Sequence, residues 1–179
     1  MSKTVIVFLD LGGVLCLGES LNQRSHLIFR SIYGMLHEVE DMISILKNPP
    51  TEIEINDVIK RCHRLYEPDL FYDLIDYNLF FGIATNSPKE VVLFTEKLSF
   101  IQQDLVMISS LVGVSKPELE FFKMMVDISK KYSPHKILFV DDKKNIVDAA
   151  NLVPQITAIH FDNTEGGSLY EFIKKNLNK

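Results

Sequence analysis

Asp10, Lys116 and the adjacent pair Asp141-Asp142 are the residues whose types could do chemistry, and each closes or follows a short apolar run. Asp10 stands in Phe8-Leu9-Asp10-Leu11-Gly12-Gly13-Val14-Leu15. A carboxylate at the end of an apolar strand must be paired, desolvated or metal-bound. The two glycines after it let the backbone turn sharply and approach a ligand. Asp10 therefore reads as a nucleophile or a metal ligand, or else as the cap of a helix or turn. Asp141 and Asp142 follow Ile137-Leu138-Phe139-Val140. Two like charges that close repel, and a bound cation relieves the repulsion; hard oxygen ligands suit Mg2+. The competing reading is an acidic helix N-terminus, which explains one Asp more comfortably than two.

Two further clusters fit the same pattern. Thr85-Asn86-Ser87-Pro88 reads as a strand running into a helix, with Ser87 as N-cap and Pro88 in the first helical position. Backbone N–H groups, a hydroxyl and an amide there suit a phosphate, and they equally suit plain capping. Lys116-Pro117-Glu118 opens another helix. A lysine near a helix N-terminus is disfavoured unless an anion faces it, whereas an ordinary surface lysine needs no anion.

These clusters need elements to bring them together. Thr4 to Leu9, Leu79 to Ala84, Leu105 to Ser109, Ile137 to Val140 and Ile156 to His160 read as strands. Their continuous apolar character predicts burial on both faces, as in a parallel sheet. Pro88 to Leu98, Glu118 to Lys131, Asn145 to Asn151 and Ser168 to Leu177 read as helices between and after them. The alternation predicts an α/β fold with a doubly wound parallel sheet. The interval from Asp10 to Thr85 is far longer than a crossover of about 30 residues requires. Its excess reads as an inserted small α-helical cap, with helices at Ser20 to Leu36, Val39 to Lys47, Ile55 to Tyr66 and Pro68 to Asp76. The expected division is a core of residues 1–15 plus 77–179 and a cap of residues 16–76. An insertion after the first strand lies beside that strand's carboxyl end, where open α/β sheets bind ligands.

Composition narrows the class. The chain has 179 residues, 46% hydrophobic and 24% charged, which is an ordinary globular balance. A net charge of -5 argues against nucleic acid, which needs a surplus of Lys and Arg. It leaves room for a small phosphorylated ligand in one locally positive pocket. Cys16 and Cys62 form no metal-binding or disulfide framework and read as free thiols in a reducing, cytoplasmic compartment. No run of residues has the length and apolar character of a membrane span, and no membrane partner is expected. Nothing in the pattern specifies an oligomeric state.

Taken together and in order, Phe-Leu-Asp-Leu-Gly-Gly-Val-Leu, Ala-Thr-Asn-Ser, Ser-Lys-Pro-Glu-Leu-Glu-Phe-Phe and Phe-Val-Asp-Asp-Lys-Lys-Asn-Ile-Val-Asp-Ala-Ala resemble the four motifs of the haloacid dehalogenase-like (HAD-like) hydrolase superfamily. The insertion resembles the small helical cap of the subgroup that carries it after the first motif. The resemblance implies a Mg2+-dependent phosphatase acting on a small phosphorylated metabolite through an aspartyl-phosphate. Asp10 would be the nucleophile. Thr85 and the backbone N–H of Asn86 would hold the phosphoryl oxygens, and Lys116 would balance the charge of Asp10 and phosphate. Asp10, Asp141, Asp142 and the backbone carbonyl of Gly12 would hold Mg2+, Asp141 directly and Asp142 directly or through water. Asn145 matches a position near the metal loop, with helix capping an equal explanation.

Gly12 departs from the pattern. Phosphatases of the family commonly carry a second Asp there, which protonates the leaving oxygen and then activates water. General acid–base help of that kind is typically worth about 10²–10⁴-fold. Three readings follow: a substrate with a good leaving group, a proton supplied by Glu19, His26 or His63 of the cap, or a catalytically impaired binding or regulatory protein that keeps the fold. A haloacid dehalogenase, in which Asp10 would attack carbon without a metal, leaves Asp141-Asp142 unexplained. Phe29, Tyr33, Leu65, Tyr66, Phe71 and Tyr72 read as cap core or as the lining of a substrate pocket.

Overall fold

The computed structural model describes residues 4–17, 21–62, 64–65, 79–162 and 168–177. Five parallel strands form one sheet in the order β5-β4-β1-β6-β7. They are β1 (Val5–Leu9), β4 (Leu79–Thr85), β5 (Ile101–Ile108), β6 (Lys136–Asp141) and β7 (Ile156–His160). β1 lies at the centre, with every residue buried, and its register sets Leu9 beside both Ile83 and Val140. The strands on its two sides are reached in opposite directions, so β1 marks the switch point of the winding.

The period of two along each strand divides the core into two layers. Val5, Val7 and Leu9 pack with Phe81, Ile83, Leu138 and Val140, beneath Leu169 and Ile173 of α8 (Leu169–Leu177). Ile6 and Phe8 pack on the other face with Phe139, beneath Phe121, Phe122 and Met125 of α6 (Leu119–Ser129) and Ile146 and Val147 of α7 (Lys144–Ala150). Each large side chain buried there contributes about 1.5–3 kcal/mol relative to exposure. Gly82 lies where the β4–β5 register shifts, and a Cβ there would stand 2.6 Å from the Leu105 carbonyl oxygen and 2.7 Å from Phe8 Cε1. The missing side chain is what lets β5 and the Phe8 ring close on β4.

Between β1 and β4 lie α1 (Gln23–Ile32), α2 (Val39–Lys47) and α3 (Glu52–Cys62). Asn22 caps α1 by accepting from the Ser25 amide at 2.8 Å. Arg24 pairs with Glu54 at 3.2 Å, joining α1 to α3, and Arg30 pairs with Asp41 at 2.6 Å, joining α1 to α2. Ile28, Val58 and Ile59 are buried, and Ile59 belongs to the same core layer as β1.

Several boundaries differ from the sequence reading. The helix expected over Ile55 to Tyr66 begins at Glu52, because Thr51 and Glu54 form a reciprocal capping box: Glu54 N donates to Thr51 Oγ1 at 3.2 Å and Thr51 N to Glu54 Oε2 at 2.9 Å. It ends at Cys62, and the residues that follow form β3 (Arg64–Leu65), paired antiparallel with β2 (Cys16–Leu17). α1 is shorter than the expected Ser20 to Leu36. The helix expected over Pro88 to Leu98 is a 3-10 turn at Lys89–Val91 followed by α4 (Val92–Thr95). Thr95 Oγ1 donates back to the Val92 carbonyl at 2.9 Å, and that local bond competes with helix propagation. Strand β5 begins at Ile101 rather than Leu105, and a four-residue α5 (Ser109–Val112) follows it. The expected helix Pro68 to Asp76 lies outside the described residues. Among the described residues no helix is long and apolar enough to cross a membrane.

Candidate active site

The carboxyl ends of β1, β4 and β6 converge on one group of polar side chains. Asp10 follows β1, and its amide donates to the Val140 carbonyl at 3.0 Å, which locks it beside the end of β6. The chain then turns back on itself: Leu15 N donates to the Asp10 carbonyl at 3.3 Å and Cys16 N to the Leu11 carbonyl at 2.7 Å. Gly13 makes that turn with φ +80, and a Cβ there would run into the Asp142 carboxylate. Only glycine serves both needs. Gly12 is exposed, and a Cβ on it would meet nothing within 4 Å among the described residues.

Lys116 is the pivot. Its side chain is 1% exposed, and its Nζ lies 2.9 Å from Asp10 Oδ1 and 2.6 Å from Asp141 Oδ2. The surface reading of this lysine is thereby excluded. The ammonium also stands 5.3 Å above the centre of the Phe139 ring. Asn86 fixes the lysine from 30 residues away. Its Oδ1 accepts from Lys116 N at 2.9 Å and its Nδ2 donates to the Lys116 carbonyl at 2.7 Å, a reciprocal pair that mimics one rung of a sheet. Ser87, expected to cap a helix, instead shares a 2.9 Å hydrogen bond with Thr85 Oγ1, because the turn that follows starts one residue later with Pro88 at its cap position.

The three carboxylates are unequal. Asp10, Asp141 and Asp142 each place an oxygen within 4.8 Å of the others. Asp141 is fully buried, and both its oxygens are engaged, Oδ2 by Lys116 and Oδ1 by the Lys143 amide at 2.9 Å. Burial raises its pKa, Lys116 opposes that shift, and the Asp10 charge adds to it. Asp142 is also held above the ordinary carboxylate range, by burial first and by the charges of Asp10 and Asp141 next. Its Oδ1 is buried and has no hydrogen-bond donor among the described residues. A buried, unpaired carboxylate oxygen is costly, and here it faces two further carboxylates. The donor set fits a divalent cation: three carboxylates share one buried ammonium, with Lys143 opposing Asp142, all the ligands are hard oxygens, and one oxygen lacks a donor among the described residues.

Asp10, Gly12, Thr85, Asn86, Lys116 and Asp142 open into a cleft of about 770 Å³ whose opposite wall is built by the insertion. That wall includes His26, Phe29, Tyr33 and Cys62. Of the expected proton donors, His26 stands at the cleft, while Glu19 and His63 lie outside the described residues, as do Tyr66, Phe71 and Tyr72. Leu65 lies in β3. Asn145 is exposed in the first turn of α7, whose N-cap is Lys143.

Tyr33, read from the sequence with Phe29 as cap core or pocket lining, lines the cleft and caps the end of α1. Its hydroxyl is hydrogen-bonded to Ser87, and burial pushes its acidity well below that of a free phenol. His26, Phe29 and Tyr33 recur at helical spacing, which was the available signal. Cys16 and Cys62 are free thiols at the cleft. Burial pushes the Cys16 thiol far up and Cys62 to about 11, so neither is a thiolate nucleophile at neutral pH.

A parallel sheet of this winding, with an acidic cluster and a buried lysine at the strand ends beneath a helical insertion, is the HAD-like α/β Rossmannoid fold. The chain aligns over all of its length with all of a predicted HAD-like family hydrolase from Porphyromonas gingivalis, at 19% identity and a TM-score of 0.64. A HAD family enzyme from Bacteroides thetaiotaomicron, in complex with magnesium and inorganic phosphate, aligns over 88% of this chain and 93% of its own at 14% identity and a TM-score of 0.59. A hydrolase from Streptococcus pneumoniae aligns over the whole of both chains at 17% identity and a TM-score of 0.56. No protein-family model matches the sequence, and no curated protein matches it.

Proposed function

We propose that this chain is a Mg2+-dependent phosphatase of small phosphorylated metabolites, working through an aspartyl-phosphate on Asp10, with residues 16–76 as a cap over the site. The observation that carries the reading is the buried Asp142 Oδ1, without a donor among the described residues, set beside Asp10, Asp141 and the Lys116 ammonium. A bound HAD family relative that holds magnesium and phosphate in the same fold supports it. Asp10, Asp142, Asp141 and the Gly12 carbonyl would hold Mg2+. Asp142 is the better direct ligand, because both oxygens of Asp141 already accept hydrogen bonds. When bound, the ion neutralises charge on the transferring phosphoryl group.

The protein's own groups supply the rest. Asp10 attacks phosphorus, the bond to the leaving oxygen breaks, and that oxygen departs with the electron pair. Water then displaces the phosphoryl group from Asp10, releasing inorganic phosphate and restoring the carboxylate. Lys116 holds Asp10 in position and balances the incoming negative charge. Thr85 and the backbone N–H of Asn86 hold the phosphoryl oxygens. Asp10→Asn is expected to abolish hydrolysis of 4-nitrophenyl phosphate in Mg2+, and EDTA to do the same to the native protein; an Asp10→Asn variant turning over at the native rate refutes the nucleophile.

Gly12 favours a second reading, a HAD-fold binding or regulatory protein without turnover. Mg2+ binding by calorimetry combined with no hydrolysis across a broad phosphate-ester panel would establish it. Haloacid dehalogenation would be insensitive to EDTA.

A further inference from the structure

Resting on the phosphatase reading, we propose that the group the substrate leaves behind is a flat, uncharged ring: the substrate is an aryl or heteroaryl phosphate monoester. Two independent features of the cleft lead there. The first is its outer wall. His26, Phe29 and Tyr33 line up on one face of α1, with the Phe29 and Tyr33 rings stacked at 4.3 Å and 30° and His26 following at 6.5 Å and 25°. A row of stacked rings shows aromatic edges along its side and an open face only at its ends, and a ligand ring meeting it edge-to-face or stacking on an end gains about 0.5–1.5 kcal/mol beyond simple burial. Leu21 and Met35 extend the wall with apolar surface. Among the described lining residues, Asp10, Lys116, Asp142 and Lys143 all belong to the sheet side, and the insertion contributes no Asp, Glu, Lys or Arg. A second phosphate, a carboxylate or an ammonium on the leaving portion would lose water against that wall and meet, among its described residues, only the His26 imidazole and the Tyr33 hydroxyl as polar side-chain partners.

The second feature is Gly12. Position 12 itself offers no proton donor, and a Cβ built there would meet nothing within 4 Å among the described residues. An alkoxide leaving group is about as basic as hydroxide, whose conjugate acid has a pKa of about 15.7. A phenol has a pKa of about 10, as in tyrosine. An aryloxide therefore leaves as the anion and takes its proton from water afterwards. The wall and the missing acid select the same class for different reasons. The Tyr33 hydroxyl, bonded to Ser87, sits where the apolar wall meets the phosphate-binding end.

The test compares kcat/KM in Mg2+ for 1-naphthyl phosphate, phenyl phosphate, phosphotyrosine, acetyl phosphate and glycerol 3-phosphate. Acetyl phosphate has a good leaving group and no ring; phosphotyrosine has the ring and two charges. The expected order places 1-naphthyl and phenyl phosphate first, with phosphotyrosine below phenyl phosphate through KM. Phe29→Ala is expected to lower kcat/KM for 1-naphthyl phosphate about tenfold more than for acetyl phosphate, the loss of one ring contact. Phe29→Leu, which keeps the apolar volume and the helix, is expected to move the same ratio in the same direction. Turnover of acetyl phosphate without a preference for rings, or Phe29 variants that slow both substrates equally, overturns the substrate class and leaves the phosphatase reading standing. No Mg2+-dependent turnover of any of the five overturns both.

Discussion

Replacing Asp142 by Asn tests whether the acidic cluster is built for a cation or for the fold. Asp142 shares the site with Asp10 and Asp141, their oxygens within 4.8 Å. At an effective dielectric constant near 20, two unit charges at that distance interact by about 3.5 kcal/mol. Two such repulsions act on Asp142. Burial and those same charges already weaken its acidity, and Lys143 opposes part of the repulsion. Asn removes the remainder, and its amide N–H groups can donate to the facing carboxylates where Oδ1 now has no donor. The metal-free variant should therefore be more stable than the native protein by about 1–2 kcal/mol, a fraction of the gross Coulomb figure. For a domain of this size that is about 2–8 °C in Tm. The native protein, in contrast, should gain about 2.7 kcal/mol from Mg2+ at a hundredfold excess over Kd. The variant should lose most of that gain. Thermal unfolding at neutral pH, in EDTA and in excess Mg2+, reads both quantities. A variant that is less stable than the native protein in EDTA, yet still stabilised by Mg2+, would show that Asp142 serves the fold and that the cation argument is wrong.

Other substitutions address other parts of the site. Gly12→Asp should raise kcat on alkyl phosphates by about 10²-fold through general acid help, because its side chain enters open space and its backbone is not left-handed; an unchanged rate on glycerol 3-phosphate counts against the missing-acid account. Gly13→Ala should cost about 1–2 kcal/mol for the left-handed backbone alone, and it should also abolish the Mg2+-induced rise in Tm, since its methyl group displaces the Asp142 carboxylate; a variant with native Tm and native Mg2+ response contradicts the geometry. Asp104 is held below the ordinary carboxylate value chiefly by Lys131, with Tyr132 Oη donating to it at 2.7 Å. A depressed folded pKa contributes stability above the unfolded value and loses it as pH falls through the folded one. Asp104→Asn should thus cost up to about 1 kcal/mol at neutral pH, as expected for a partly exposed pair, and nothing in strong acid; a urea-midpoint difference that persists unchanged into acid is the contrary result.

The sheet was legible because its inner strands, β1, β4 and β6, are buried on both faces and so read as nearly unbroken apolar runs. The exception marks the limit of that signal. The first half of β5 carries Gln102, Gln103 and Asp104, since it forms an edge whose outer positions meet water, and only its buried half was recognised. Periodicity located α2 from Val39 to Lys47 but could not orient it. Val39, Met42, Ile43 and Leu46 form its apolar stripe, yet they are exposed, while Asp41, Ser44 and Ile45 lie less exposed. The start of α3 was written in Thr51-x-x-Glu54, a capping signature with a plain mechanism that apolar spacing alone passes over. The ladder of β2 and β3 is two residues on each side, too short for any local pattern to announce.

The candidate site divides along the same line. Its residue types were legible because parallel strands deliver their carboxyl ends to one edge, so that Asp10, Thr85 and Asp141 need no long-range knowledge to be grouped. What local sequence cannot carry is the division of labour among them. Lys116 is separated from Asp141 by 25 residues and from Asp10 by far more, yet its ammonium lies between their carboxylates, and Asn86 holds its backbone there. A buried ammonium is tolerated only when paired. Pairing it with Asp10 and Asp141 consumes its charge there and leaves Asp142 facing them with only Lys143 in opposition. That asymmetry turns two adjacent aspartates, identical in sequence, into different groups: one tied down by a lysine and a backbone amide, the other with an oxygen that only a cation, a proton or a substitution can satisfy.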